Sequence, residues 1–382
     1  MNELEQDDLF EGILPSDQQE DESDFEQPIS FQETVVQTAD WTVGTLFAQL
    51  NKGTIDLDPG FQRRQAWDTI RKSRLIESLI VGLPIPNIVL AENVQHRGRF
   101  LVIDGKQRLL TIKNYLDNEL PLKGIDLRRD LDGCTFENLP QPDRDFLENN
   151  SIRATVIKNI ADQNFLYVMF FRLNSGSLPL SPQELRKALI GGKALNKIDH
   201  YIENSEIFRK IFGPALDRRM RDSELVLRFI AFDRGYENYK GDLKAFLDES
   251  VKHFETIGDE IDAELDAGFL RLDSALNATV AIFGKDAFRK WTGDRYERRI
   301  NRAIFDVIIR FFAEPKIVAA AQGKSDAITT AFKEVCTDAP FRSAVEKTTK
   351  SIEATKTRTN KWGQKLAAIL RMTYAENQAR IE

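Results

Sequence analysis

Apolar positions along the chain follow two rhythms, and the point where one gives way to the other divides the sequence. Thr42 stands where a helix N-cap belongs, and a helical spacing runs from there to about Leu50. Ile55 and Leu57 mark a short strand, and Pro59-Gly60 a turn. Asp68 can cap a helix whose apolar face is Leu75, Ile76, Leu79, Ile80 and Leu83, ended by Gly82 and Pro84. Residues 87–92 and 99–103 read as strands, with a hairpin turn at 95–98. A helix from 105 to about 118 follows, with Leu109, Ile112 and Leu116 on one face. Residues 119–150 are rich in Asp, Gly and Pro and predict irregular structure with a short helix near 142–149. The alternating, β-branched run 152–158 predicts a strand. Asp162 can then cap a helix with Phe165, Leu166, Met169, Phe170 and Leu173 as its buried stripe, followed by a loop at 174–177. Ser181-Pro182-Gln183-Glu184 is a strong helix start, with Ser at the N-cap, Pro at the first helical position and Glu at the third.

After about residue 190 the strand signals stop. Helical stripes recur at 222–232, 242–256, 299–314 and 364–374, most clearly in Ile300, Ile304, Val307, Ile308 and Phe311. The expected organisation is an α+β domain over 41–190 followed by an all-α helical domain over 191–382.

Composition adds a third segment. Residues 1–40 hold 13 Asp and Glu and no Lys or Arg, with few apolar residues, and read as a disordered acidic leader. Such a leader solubilises; the sharper alternative is a nucleic-acid mimic lying on a basic surface. Without it the 60 carboxylates of the chain fall to 47 against 53 Lys and Arg, so the body carries a net +6 behind a chain total of -7. No apolar run approaches the roughly 20 residues that span a bilayer, and the N-terminus lacks the pattern of a signal peptide, so no membrane partner and a cytoplasmic location are expected. Cys134 and Cys336 are isolated, as inert thiols in a reducing compartment would be. The oligomeric state has no signature.

Chemistry gathers at three junctions between elements, where rigid scaffolds tend to present functional groups. One is Gln62-Arg63-Arg64 with Trp67 just beyond it. The second is Val102-Ile103-Asp104-Gly105-Lys106-Gln107-Arg108, an apolar strand running into an acid, a glycine and a helix. The third is Arg172-Leu173-Asn174-Ser175-Gly176. At the second, Asp104 is placed to be the N-cap, and free backbone N–H groups, Lys106 and Arg108 together attract an anion. Five cations, a carboxylate and loop amides suit a nucleotide or a phosphodiester. Basic tracts at Arg218, Arg219 and Arg221, at Arg298, Arg299 and Arg302, and from Lys347 through Lys350, Lys356, Arg358, Lys361 and Lys365 could touch phosphates, or be solvated helix faces.

In order and spacing these motifs resemble a known family. Phe61-Gln62-Arg63-Arg64-Gln65-Ala66-Trp67-Asp68, Leu75-Ile76-Glu77-Ser78-Leu79, Gly82-Leu83-Pro84-Ile85-Pro86, Ile103-Asp104-Gly105-Lys106-Gln107-Arg108-Leu109 and Phe171-Arg172-Leu173-Asn174-Ser175-Gly176 look like the GmrSD-type N-terminal domain of the ParB/sulfiredoxin-like superfamily. The likeness covers about residues 40–190 and continues loosely beyond. It implies a ParB/sulfiredoxin-like fold and a protein that binds and hydrolyses an NTP and acts on or senses DNA in restriction or phage defence; in such an enzyme Asp104 either binds a divalent ion, Mg2+, or orients the attacking water.

Carried over by position, the family's Asp-Gly-Gln-Gln-Arg motif is Asp104, Gly105, Lys106, Gln107 and Arg108, with Lys106 in place of the first Gln. Asp104 and Arg108 are then the catalytic candidates, and Gly105, Lys106, Gln107, Gln62, Arg63, Arg64, Arg172 and Asn174 the nucleotide-binding ones. Sulfiredoxin chemistry needs a cysteine in this loop and is excluded. His96, His200 and His253 form no His-Asn-His arrangement, so strand cleavage falls to this domain or to a separate nuclease, and a methyltransferase is a further candidate partner. The rival reading is a non-catalytic DNA- or nucleotide-binding module that recruits a nuclease; a weaker third is a protein-contact scaffold.

Overall fold

The computed structural model describes residues 34–57, 67–93, 96–160, 165, 166, 169, 181–217, 219–347 and 349–382. Two compact units divide at Leu180/Ser181, ten residues before the boundary expected from the loss of strand signals.

The first unit is α+β. Its sheet has the order β1-β5-β3-β4-β2, from β1 Val35–Thr42, β2 Ile55–Asp56, β3 Ile88–Glu92, β4 Phe100–Asp104 and β5 Ser151–Lys158. β1 runs antiparallel to β5 and β3 antiparallel to β4, while β5 and β3, and β4 and β2, are parallel. The helices are α1 Val43–Asn51, α2 Thr69–Val81, α3 Lys106–Leu116 and α4 Gln141–Asn149. Ile88, Val89, Leu90 and Ala91 are all buried, so the centre of the sheet is covered on both faces. Val43 and Leu46 of α1, Ile76 and Leu79 of α2, and Leu109 and Ile112 of α3 share one core with Ile88, Leu90, Ile152 and Ala154. Each of the Val, Leu and Ile side chains contributes about 1.5–3 kcal/mol of burial.

Local chemistry sets the helix ends. The Thr42 hydroxyl accepts from the Thr45 N–H at 3.1 Å, and Asp68 accepts from the Arg71 N–H at 2.7 Å. Gly82 closes α2 in the left-handed region (φ +80°). Leu83 lies past this cap and is exposed, so it is not part of the α2 face.

Of the residues read as an acidic leader, Val35–Asp40 instead belong to β1. Val35 and Val36 are exposed and Asp40 pairs with Arg153, so the strand shows no inside–outside alternation; its pairing with β5 defines it. The turn at Pro59-Gly60, position 95 of the hairpin, the cap at Asp162 with Phe170 and Leu173, and the loop 174–177 lie outside the described residues.

The irregular stretch after α3 is tied to α2 by a buried carboxylate. Glu77 accepts the N–H groups of Leu127 at 2.6 Å, Arg128 at 2.8 Å and Asp126 at 3.4 Å. The Ser73 hydroxyl accepts the Lys123 N–H at 2.9 Å. Backbone donors that lack ladder partners are thereby satisfied.

The second unit is helical. It holds α5 Pro182–Leu189, α6 Lys193–Asn204, α7 Glu206–Phe212, α8 Arg221–Gly235, α9 Leu243–Thr256, α10 Glu260–Phe283, α11 Arg302–Phe312, α12 Pro315–Ala321, α13 Ser325–Thr337, α14 Ala339–Glu346 and α15 Ile352–Leu370. The capping box expected at Ser181 and Glu184 is present, with bonds of 3.1 and 2.6 Å. Contrary to the expectation of no strands after 190, Tyr374–Ala375 (β6) and Arg380–Ile381 (β7) pair antiparallel. Two residues per strand are too few for a periodic signal.

β4 passes into α3 through Gly105 at φ +96°. A Cβ there would sit 2.6 Å from Ile88 Cγ2, so positive φ and close packing both demand glycine. Gly105→Ala is expected to destabilise this unit by about 2–4 kcal/mol, read as a fall in denaturant midpoint. Glu77→Ala is expected to cost about 2–3 kcal/mol and to accelerate amide exchange at Leu127 and Arg128 first.

Candidate functional site

Asp104 is the last residue of β4 and stands opposite Val89 of β3. It is not the N-cap of α3. Gly105 takes that position, with no side-chain bond to the helix start. The left-handed turn at Gly105 instead aims the Asp104 carboxylate along the first turn of α3, where Arg108 Nη2 donates to its Oδ2 at 2.7 Å. The same nitrogen donates to the Asn87 carbonyl at 3.1 Å. One guanidinium therefore ties the start of α3 to the end of β4 and the entrance of β3. The Arg108 side chain is 13% exposed and that of Asp104 32%, so the pair is held from one side and open to solvent on the other.

Two polar atoms here stay unsatisfied. Arg108 Nε and Gln107 Oε1 are buried with no hydrogen-bond partner. Buried polar groups are rarely left so. The first is a charged donor that an anionic oxygen would satisfy, and the second an acceptor that a hydroxyl or amine would satisfy. Lys106 heads the helix and is half-buried. The first turn of α3 contains no acidic residue, so its N–H groups and the positive end of its dipole keep their attraction for anions.

Gln62, Arg63, Arg64, Arg172 and Asn174 lie outside the described residues, while Trp67 and Asp68 at the end of the first motif are described, Asp68 as the cap of α2 and Trp67 under the Arg71 guanidinium at 4.7 Å. The structure thus brings together Asp104, Gly105, Lys106, Gln107 and Arg108. To these it adds the Asn87 carbonyl, which sequence reasoning missed; a backbone acceptor carries no residue-type signal.

The three basic tracts look different once folded. Arg219 lies 3.2 Å from Glu184, and Arg221 2.6 Å from Asp217. Arg302 is bound to Glu224 at 2.9 Å, Lys361 to Asp338 at 3.1 Å and Lys365 to Glu334 at 2.7 Å, while Arg358 is fully buried. Much of this charge is neutralised within the helical unit. Arg298, Lys347 and Lys356 are exposed, and position 218 lies outside the described residues.

Among the described residues no three His, Cys, Asp or Glu are grouped to hold a metal ion. His200 bonds Asn204, and His253 lies 3.9 Å from Glu264. Cys336 is buried and its thiol is pushed up to about 12, chiefly by desolvation. Among the described residues no helix is long and apolar enough to cross a membrane. The two described cavities, of about 180 and 90 Å3, both lie in the helical unit, and neither is lined by Asp104 to Arg108.

Comparison with curated proteins and with solved structures found no match. Residues 43–191 match the family model described as GmrSD restriction endonuclease, N-terminal domain. That span runs from the first residue of α1 past the capping box that opens α5, and contains Gly105 and both partners of the Asp104–Arg108 pair: this part of the chain is a GmrSD-type N-terminal domain.

Proposed function

We propose that this domain binds a nucleoside triphosphate at the β4–α3 turn and couples its hydrolysis to restriction of foreign DNA. The observation that carries the reading is the unsatisfied Nε of Arg108 beside the start of α3, where the cap residue Gly105 makes no side-chain bond, and the Asp104 carboxylate. A phosphate oxygen would satisfy that donor and face the positive end of the helix, with Lys106 adding a further cation. The DNA role rests on the printed name of the matching family, which is a restriction endonuclease.

In this scheme Arg108 and Lys106 hold the phosphates and stabilise charge that develops as the terminal P–O bond breaks. Asp104 has two roles open to it. It can orient the attacking water and accept its proton as the oxygen bonds to phosphorus. It can alternatively hold Mg2+, and a single part-exposed carboxylate fits that ion, which is commonly bound by one or two carboxylates together with substrate phosphates and water. When bound, Mg2+ would neutralise phosphate charge. Gln62, Arg63, Arg64, Gln107, Arg172 and Asn174 complete the proposed pocket, and Gly105 lets the backbone come close. Strand cleavage belongs to a separate nuclease in this proposal, and a methyltransferase is a further candidate partner.

One observation favours the rival reading, a binding module without catalysis. Arg108 already occupies Asp104 Oδ2 at 2.7 Å, so the carboxylate can act as a brace for the binding cation. Phosphate release from the four NTPs, with and without DNA, separates the two. Hydrolysis by the wild type is expected, and its absence under every condition contradicts the enzyme. Asp104→Asn keeps an acceptor for Arg108 but removes the charge. It is expected to lower turnover by about 100-fold or more while nucleotide binding persists. Turnover unchanged in Asp104→Asn would assign Asp104 a purely structural role.

A further inference from the structure

We propose that β1 is a dimer interface, along which a second copy of this chain extends the sheet of the first unit edge to edge. This surface is independent of the β4–α3 turn. β1 is a terminal strand of the sheet. Its eight residues, Val35–Thr42, pair in unbroken register with β5, and among the described residues no other strand pairs with them. Val35 and Val36 are 39% and 61% exposed, and Gln37, Thr38 and Asp40 are exposed as well.

The register identifies the backbone groups that point away from β5. The Val43 N–H donates to the Asn150 carbonyl at 2.9 Å, one step past the Thr42–Ser151 pair. Bonding alternates along an antiparallel ladder. The N–H and C=O groups of Gln37, Ala39 and Trp41 therefore face β5, and those of Val36, Thr38 and Asp40 face outward. Edge strands are ordinarily guarded by shortness, Pro, Lys, a bulge or a covering segment. β1 has none of the first four. It is eight residues long, it contains no Pro, Lys or Arg, and its register does not shift.

The strand is complementary to itself. Two copies paired antiparallel about Thr38 set Val36 opposite Asp40 and Thr38 opposite Thr38 on one face, and Val35 opposite Trp41 and Gln37 opposite Ala39 on the other. Trp41 packs on the core and meets the Phe100 ring edge-on at 6.0 Å. The exposed Val35 thereby gains an aromatic neighbour across the new ladder, a favourable pair. Asp40 is the one charged residue of the strand and is matched by Arg153 at 3.2 Å, so this register sets no like charges opposite each other. A register centred on Asp40 would bring two carboxylates face to face. The opposite edge of the sheet, β2, has two residues, so pairing through β1 closes as a two-fold dimer and does not run on into a filament. Residues 35–41 of each copy make a small interface beside the roughly 20–30 residues a side of a standard one, so the dimer forms as concentration rises.

Sedimentation velocity of the full chain over a concentration series, with hydrogen exchange followed at single amides, tests this. A monomer–dimer equilibrium is expected. The amides of Val36, Thr38 and Asp40 are expected to lose protection on dilution into the monomer range, while those of Gln37, Ala39 and Trp41 keep theirs. Thr38→Pro removes only an outward N–H, a place where an edge strand accepts proline. With an unchanged circular dichroism spectrum, it is expected to raise the dimer dissociation constant by about tenfold or more. If Thr38→Pro does not fold, Thr38→Lys, which sets two like charges opposite each other at the two-fold axis, is expected to weaken the dimer in the same direction. A monomer at every concentration, a dimer unaffected in whichever Thr38 variant folds, or outward amides that stay protected in the monomer, as they would under another segment of the same chain, would overturn the proposal.

Discussion

The candidate site depends on one guanidinium. Arg108 reaches back from the first turn of α3 to the Asp104 carboxylate and the Asn87 carbonyl, and so fixes where the helix begins relative to two strands. The bond is charge-assisted and half-sheltered, stronger than a solvated surface pair and far from a sealed one. It is available only because Gly105 turns the chain at positive φ against Ile88. A side chain at 105 would push the helix start away from the sheet and separate Arg108 from both acceptors. The same arrangement leaves Arg108 Nε unsatisfied, which makes the brace a candidate binding group as well.

Where chemistry is local, the sequence was enough. Thr42, Asp68 and Ser181 cap the helices they were expected to cap, because the hydroxyl or carboxylate acts within three residues of itself. Asp104 met the same local rule and did something else. A glycine directly after it took the cap position, and a cation one turn on, at Arg108, captured the carboxylate. The α+β character of the first unit and the helical character of the second followed from periodicity alone.

What could not be read depends on partners distant in the chain. β1 is exposed along most of its length and is defined by pairing with a strand more than a hundred residues away. The long helix α10 has a clean buried stripe from Ile261 through Leu265, Phe269, Leu272 and Leu276, yet Leu270 is exposed and blurs the pattern. The basic tracts read as surface charge until folding brought Glu184, Asp217, Glu224, Glu334 and Asp338 to meet them. Of the candidate site, the Asp104 to Arg108 motif was legible in identity, while its orientation and the Asn87 contact required the folded chain.

At the β4–α3 turn the Asp104–Arg108 pair is half-sheltered beside the start of α3, where the cap residue makes no side-chain bond. The central claim concerns this turn. Backbone amide resonances of Gly105, Lys106, Gln107 and Arg108 followed by NMR during titration with a non-hydrolysable NTP test it most directly. The account predicts that these four shift together and saturate with the ligand; shifts confined to other parts of the chain, with these four unmoved, would contradict it.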